Sequence, residues 1–180
     1  MLWLVAAGWL LALAGAFAAD DSAAPSNGAA SDPSRSAVAT VVAGIVSYTR
    51  WPGEPRAVRL CTVGKGRGVD DLLESGDLGS AQLGVPVLAR AGVAAALDEC
   101  DAIYVGSLPG DGAHRLVKAA IGRPVLLIGE GAEFCTDGGM FCLQPAAPGF
   151  AVNLDALARS GLKVNPRVLR IARQPTVSGS

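Results

Sequence analysis

The chain has 180 residues, 51% of them hydrophobic and 17% charged, and its 15 basic and 16 acidic side chains leave a formal net charge of −1. A balance so close to zero removes the electrostatic footprint expected for binding nucleic acid or an anionic membrane surface. One histidine and four cysteines leave little material for a histidine-rich metal centre, so the cysteines carry most of the chemical information.

Residues 1–18 form an Ala/Leu-rich run that is short for a membrane span and ends in Ala16-Phe17-Ala18. This is the small-x-small pattern of a secretory signal peptide cut after Ala18; no Lys or Arg precedes the apolar run, and a segment retained as an anchor is the alternative. Residues 19–34 are mostly Ala, Ser, Pro, Gly, Asn and Asp, a composition that cannot bury a core and predicts a disordered leader. Residues 35–174 then make one domain of ordinary size, and 175–180 read as a flexible tail.

Within that domain, Val38, Val41, Val42, Ile45, Val46 and Thr49 recur at helical spacing. Pro52 disfavours helical geometry in Trp51 and so ends that helix. Strands are expected at Val58–Val63, Val85–Leu88, Ala102–Val105 and Val125–Ile128, with helices near Val69–Glu74 and Val93–Leu97. Asp111 is expected to cap a helix carrying Leu116, Val117, Ala120 and Ile121, and Gly122 to end it. Strands alternating with helices argue for an α/β fold with a mostly parallel sheet and helices on both faces. Met140–Leu143 and Phe150–Val152 add an antiparallel hairpin at one edge. Asn153 is a helix cap, with Leu154, Leu157 and Ala158 expected on one face and Gly161 as terminator. Asn165 caps a last helix with Pro166 in its first turn. Arg167, Arg170 and Arg173 are expected on one side of it, with Val168, Leu169 and Ile171 largely on the other.

Cys61, Cys100, Cys135 and Cys142 all fall in this domain. An even count behind an export signal points to two disulfides. Of three possible connectivities, the favoured one closes a short local loop between Cys135 and Cys142 and leaves Cys61 and Cys100 beside strands that are candidates for neighbours. A four-cysteine zinc site is the weaker reading, because no C-x-x-C spacing is present.

A search for catalytic chemistry finds nothing that assembles. The Gly64–Gly68 loop matches neither glycine-rich phosphate motif, since Val69 and Asp70 occupy the decisive positions. No G-x-S-x-G is present. His114 sits beside Asp111 early in an amphipathic helix, where a surface role is the plainer reading. Glu130 and Glu133 lie on a Gly-rich loop and are expected to be solvated. The sequence therefore predicts a non-enzyme without cofactor or metal. Tyr48-Thr49-Arg50-Trp51-Pro52 stands out instead, because Tyr, Trp and Arg are the residues most enriched at binding hot spots; the plainer alternative is that Trp51 closes the core and Arg50 covers it.

These features converge on a known pattern. Tyr-x-x-Trp-Pro (Tyr48, Trp51, Pro52), Arg59-Leu60-Cys61, Cys100 opening a strand, Gly122–Leu126, Gly138–Met140, Asn153–Leu162 and the closing Arg167–Ala172 give the chain, from about Ala37 to Ala172, a resemblance to the YfiR family. The segment between Gly76 and Val93 fits that pattern loosely. The resemblance implies an α/β sandwich, disulfides Cys61–Cys100 and Cys135–Cys142, and a homodimer. It also implies a periplasmic repressor that binds the periplasmic domain of a membrane diguanylate cyclase, limits cyclic-di-GMP signalling and is relieved by redox or envelope stress or by an outer-membrane lipoprotein. The candidate partner-binding residues are Tyr48, Arg50, Trp51, Asn153, Asp155, Arg159, Arg167 and Arg170. The alternative functions are a periplasmic small-molecule sensor or solute-binding domain and, third, an enzyme of unrecognised type.

Overall fold

The structure, a computed structural model, describes residues 33–53, 57–78, 85–89, 92–144 and 149–173. The expected signal peptide, nearly all of the leader, most of the Pro145–Gly149 turn and the 175–180 tail lie outside the described residues. Helix α1 (Pro33–Ser47) leads into a two-residue strand β1 (Thr49–Arg50). Strands β2 (Leu60–Val63), β3 (Val87–Ala89), β4 (Ala102–Val105), β5 (Leu126–Glu130) and β6 (Phe141–Leu143) then alternate with helices. These are α2 (Arg67–Ser75), α3 (Val93–Glu99), α4 (Gly112–Ala120) and α5 (Ala132–Thr136). Strand β7 (Phe150–Val152), helix α6 (Leu154–Ser160), strand β8 (Lys163–Val164) and a 3₁₀ helix (Pro166–Arg173) close the domain.

The main sheet has six strands in the order β3-β2-β4-β5-β6-β7. All neighbours are parallel except β6 and β7, so the expected hairpin supplies one antiparallel strand at the edge while its first strand joins the parallel ladder. The crossovers β2-α2-β3 and β3-α3-β4 run in opposite directions along the sheet. Right-handed crossovers therefore place α2 and α3 on opposite faces. Helix α1 packs on α2 and on the 3₁₀ helix, and α3 packs on α4, which covers both faces. Every residue of β2 and β4 is buried, as expected for inner strands covered on both sides. Tyr104, Phe141, Leu60, Ile103, Leu126, Leu127 and Ile128 form the centre of the core with Val42 and Ile45 of α1.

Both disulfides are formed, in the pairing that the resemblance implies. Cys61, inside β2, joins Cys100 at the foot of β4 with Cα atoms 6.0 Å apart, and Cys135 of α5 joins Cys142 of β6 at 5.7 Å. With all four thiols paired, the zinc reading is excluded.

Several local expectations need correction. A short helix, α5, occupies Ala132–Thr136, the stretch around Glu133 that was read as a Gly-rich loop. Asp111 makes no side-chain capping bond at α4; its carboxylate pairs with Arg115 one turn along. On α6 the buried residues are Ala156, Leu157 and Ser160, whereas Leu154 is 75% exposed and Ala158 is also exposed. The caps of α6 do hold: Asn153 Oδ1 accepts from Ala156 N at 3.0 Å, and Gly161 takes a left-handed φ of 77° that glycine adopts without steric cost. The last helix is 3₁₀, and Asn165 Oδ1 accepts from Arg167 N at 3.0 Å. Its three-residue period puts Arg167 and Arg170 in one row and Val168 and Ile171 in another. Leu169 falls in a third row and is exposed. Ile171 lies against Gly44 of α1, which has no side chain to obstruct it.

Candidate functional site

In doubly wound sheets, ligands bind outside the carboxyl ends of the strands where the strand order reverses. Here that point lies between β2 and β4, whose following loops begin at Gly64 and Gly106. The crevice is closed by the chain itself. Lys65 N donates to the Ser107 carbonyl at 3.0 Å and Ser107 N to the Lys65 carbonyl at 2.8 Å, which forms an antiparallel bridge across the opening. A Cβ on Gly106 would stand 2.6 Å from the Lys65 carbonyl oxygen and 2.7 Å from Val69 Cγ2, so the loops meet with no room between them. Beneath them, Tyr104 Oη donates to Glu130 Oε1 at 2.5 Å. Burial, reinforced by the neighbouring carboxylates of Glu130 and Asp71, pushes the Tyr104 phenol far above its ordinary value. Glu130 is exposed, as read from sequence, and its carboxylate also accepts the bond from the buried phenol. The structure gives Tyr104 and Glu130 a bonding role with each other.

A second polar centre lies at the opposite end of the sheet. Asp101, directly after Cys100, is buried. Its Oδ2 accepts from Arg59 N at 2.9 Å and lies 3.6 Å from Arg59 Nε. Its carbonyl accepts from Trp51 Nε1 at 3.0 Å. Trp51 is therefore half-buried and fixed to the foot of β4, which agrees with the plainer reading of that residue. The Asp101 hub was not foreseen, and its only sequence signal is an acidic residue at the start of an otherwise apolar strand.

Just before Trp51, β1 pairs antiparallel with β8, placing Thr49 opposite Val164 and Arg50 opposite Lys163. Asn165 N extends the pairing by donating to the Tyr48 carbonyl at 2.9 Å. This clip, with the start of the 3₁₀ helix, encloses an open depression of about 440 Å³ lined by Ser47, Tyr48, Arg50, Lys163, Asn165 and Arg167, among others. Tyr48, Arg50 and Arg167 of the candidate set are thereby brought together, and Arg170 lies one 3₁₀ turn beyond. Lys163 belongs with them although the sequence analysis did not select it; two-residue strands carry no periodicity to find it by.

The remaining candidates lie elsewhere. Asn153 faces inward: besides its cap bond, its Nδ2 donates to the Cys135 carbonyl at 2.9 Å, tying α6 to the disulfide loop. Asp155 and Arg159 form an ion pair on α6. Arg159 lines a separate, smaller groove of about 80 Å³ between α4 and α6. His114 on α4 stands 3.9 Å from Asp137 of the disulfide loop, both side chains being largely solvated. Among the described residues, no helix is long and apolar enough to cross a membrane.

The domain is thus doubly wound, closes its switch-point crevice with its own backbone, carries two disulfides and gathers Arg50, Lys163 and Arg167 beside the clip. The chain belongs to the YfiR/HmsC-like family, whose pattern it matches over residues 35–173. That family consists of regulatory, non-catalytic periplasmic proteins, and the chain is in general terms a periplasmic regulator of the YfiR type.

Proposed function

We propose that this protein, exported by cleavage after Ala18, binds the periplasmic part of an inner-membrane diguanylate cyclase and holds it inactive, so limiting cyclic-di-GMP signalling. Family membership supports a partner of this kind. The observation that carries the choice of surface is the clip between β1 and β8. It gathers Tyr48 and Arg50 with Arg167, which is distant in the chain, around one depression. Core packing accounts for Trp51, Asn153 and Leu157, but it does not require an arginine at exposed positions 50, 167 and 170. Asp155 and Arg159 pair with each other on α6, where Arg159 lines a separate groove, and they serve in this proposal as a secondary contact away from the clip. The protein acts as a homodimer, and an outer-membrane lipoprotein releases the cyclase by competing for it.

Closure of the switch-point crevice by the Lys65–Ser107 bridge disfavours the alternative of a small-molecule sensor using the usual site of such folds. Arg50→Glu, Arg159→Glu and Arg170→Glu, each purified with an unchanged melting curve, test the reading in cells that express the cyclase. The expected result is a rise in cyclic-di-GMP for Arg50→Glu and Arg170→Glu, with a smaller one for Arg159→Glu. If all three repress as well as the parent protein, docking does not use this face.

A further inference from the structure

We infer that the depression beside the β1–β8 clip is a receptor for carboxylates, and that its occupant is a short acidic segment of a partner protein. The inference rests on the docking reading above and adds the chemistry of the contact. Four arginines have a carboxylate within ion-pair distance: Arg59 with Asp101, Arg115 with Asp111, Arg123 with Asp98 and Arg159 with Asp155. Arg50, Lys163 and Arg167 have no such partner among the described residues, yet all three line the same depression, and no described acidic residue lines it with them. On a chain with a net charge of −1, this is a local concentration of positive charge without its own neutralisation.

Arg50 is also pre-oriented. Its Nη1 donates to the Ser47 carbonyl at 2.8 Å and to the Thr49 carbonyl at 2.9 Å, which leaves the other nitrogens of the guanidinium outside those bonds. A guanidinium held this way has lost part of its rotamer entropy before binding and offers a planar pair of donors that matches a carboxylate. Directly opposite in register, Lys163 supplies a point charge. Arg167 approaches from the 3₁₀ helix, whose row continues the positive strip to Arg170. Tyr48 gives an aromatic wall of the kind that anchors peptide contacts. An extended segment carrying two or more Asp or Glu residues fits this spacing of cations along a clip better than a single small anion, which would leave part of the row unmatched.

The test is an amide chemical-shift titration of the ¹⁵N-labelled protein with two capped peptides, acetyl-tetraglutamate-amide and acetyl-tetraglutamine-amide. Saturable shifts at residues 47–51 and 163–168 with the glutamate peptide alone are expected. Binding should weaken at least about tenfold in the double variant Arg50→Gln/Arg167→Gln, a loss of two charge-assisted pairs. It should also weaken steeply with added salt. Equal shifts with the glutamine peptide, shifts centred elsewhere, or no saturation would overturn the inference without recourse to any variant. Preferential binding of inorganic phosphate would make this a small-anion site, and Arg50-dependent sedimentation with phosphatidylglycerol vesicles in the absence of peptide binding would make it a membrane contact; either result overturns the assignment to an acidic protein segment. Failure here with loss of repression in Arg50→Glu keeps the docking face and removes its acidic partner. Peptide binding with intact repression in Arg50→Glu keeps the receptor and removes the docking reading.

Discussion

The two ends of the parallel sheet use polar side chains in opposite ways. At the carboxyl end, Lys65 and Ser107 exchange backbone hydrogen bonds and Tyr104 is satisfied by Glu130, so the polar groups are spent on one another. At the amino end, Asp101 holds Trp51 and Arg59, and this fixed floor leads straight into β1, where Arg50 has no acidic partner among the described residues. A fold of this topology usually keeps its chemistry at the first end. In this protein the backbone closes the first end, where the exposed Lys65 and Arg67 side chains lack an acidic partner among the described residues. The second end leads into the cationic depression, so position within a common fold is a poor guide to where unpaired groups gather.

The sharpest way to break this contrast is to remove the bridge under the amino end. Cys61→Ala/Cys100→Ala opens a loop of about 40 residues, which by the chain-entropy estimate is worth about 4 kcal/mol. Differential scanning calorimetry should show a fall in melting temperature on the order of 10 °C. A drop of only a degree or two would mean that Asp101 and the core hold this end unaided.

The carboxyl end is probed by Gly106→Ala. The added methyl would collide with the Lys65 carbonyl and Val69, and forcing backbone apart in a packed region costs about 1–3 kcal/mol. Urea unfolding should record that loss. If the substitution is neutral, the crevice yields and is less tightly sealed than its hydrogen bonds indicate.

The smallest effect is confined to alkaline pH. Tyr104 has a folded-state value raised above the unfolded one, so its contribution is fully present below a pH of about 10 and is lost as pH rises beyond it, where only the unfolded phenol releases its proton. Between pH 9 and 11 the parent protein should lose stability more steeply than Tyr104→Phe, by at most about 1.4 kcal/mol per pH unit. Parallel curves would place the phenol in contact with solvent.

Much of the fold was legible because it is written in runs of residues. Ala102–Val105 is an unbroken apolar segment and emerges as β4, and Asn153 and Gly161 mark the ends of α6 by side-chain and backbone chemistry that depends on neighbours in sequence. What escaped is set by distant contacts. Asp101 acquires its meaning from Trp51 and Arg59, Glu130 from Tyr104, and Lys163 from Arg50. Leu154 has a helical apolar signature but sits at the first turn of α6, beyond the reach of the core, so its hydropathy misassigned its face. The closing helix looked α-helical in composition, and only its 3₁₀ winding separates Leu169 from Val168 and Ile171.

The clip between β1 and β8 has a consequence in time as well as in space. Its two strands come from near the beginning and near the end of the domain, and contacts of such high sequence separation bear a large loop-closure cost until the intervening sheet has formed. The cationic depression is therefore among the last features to appear during folding. A chain emerging into the periplasm with its sheet unfinished, or with mispaired cysteines, lacks the surface altogether. On the docking reading proposed above, recognition would report that maturation is complete, so that immature copies would neither occupy nor silence the partner.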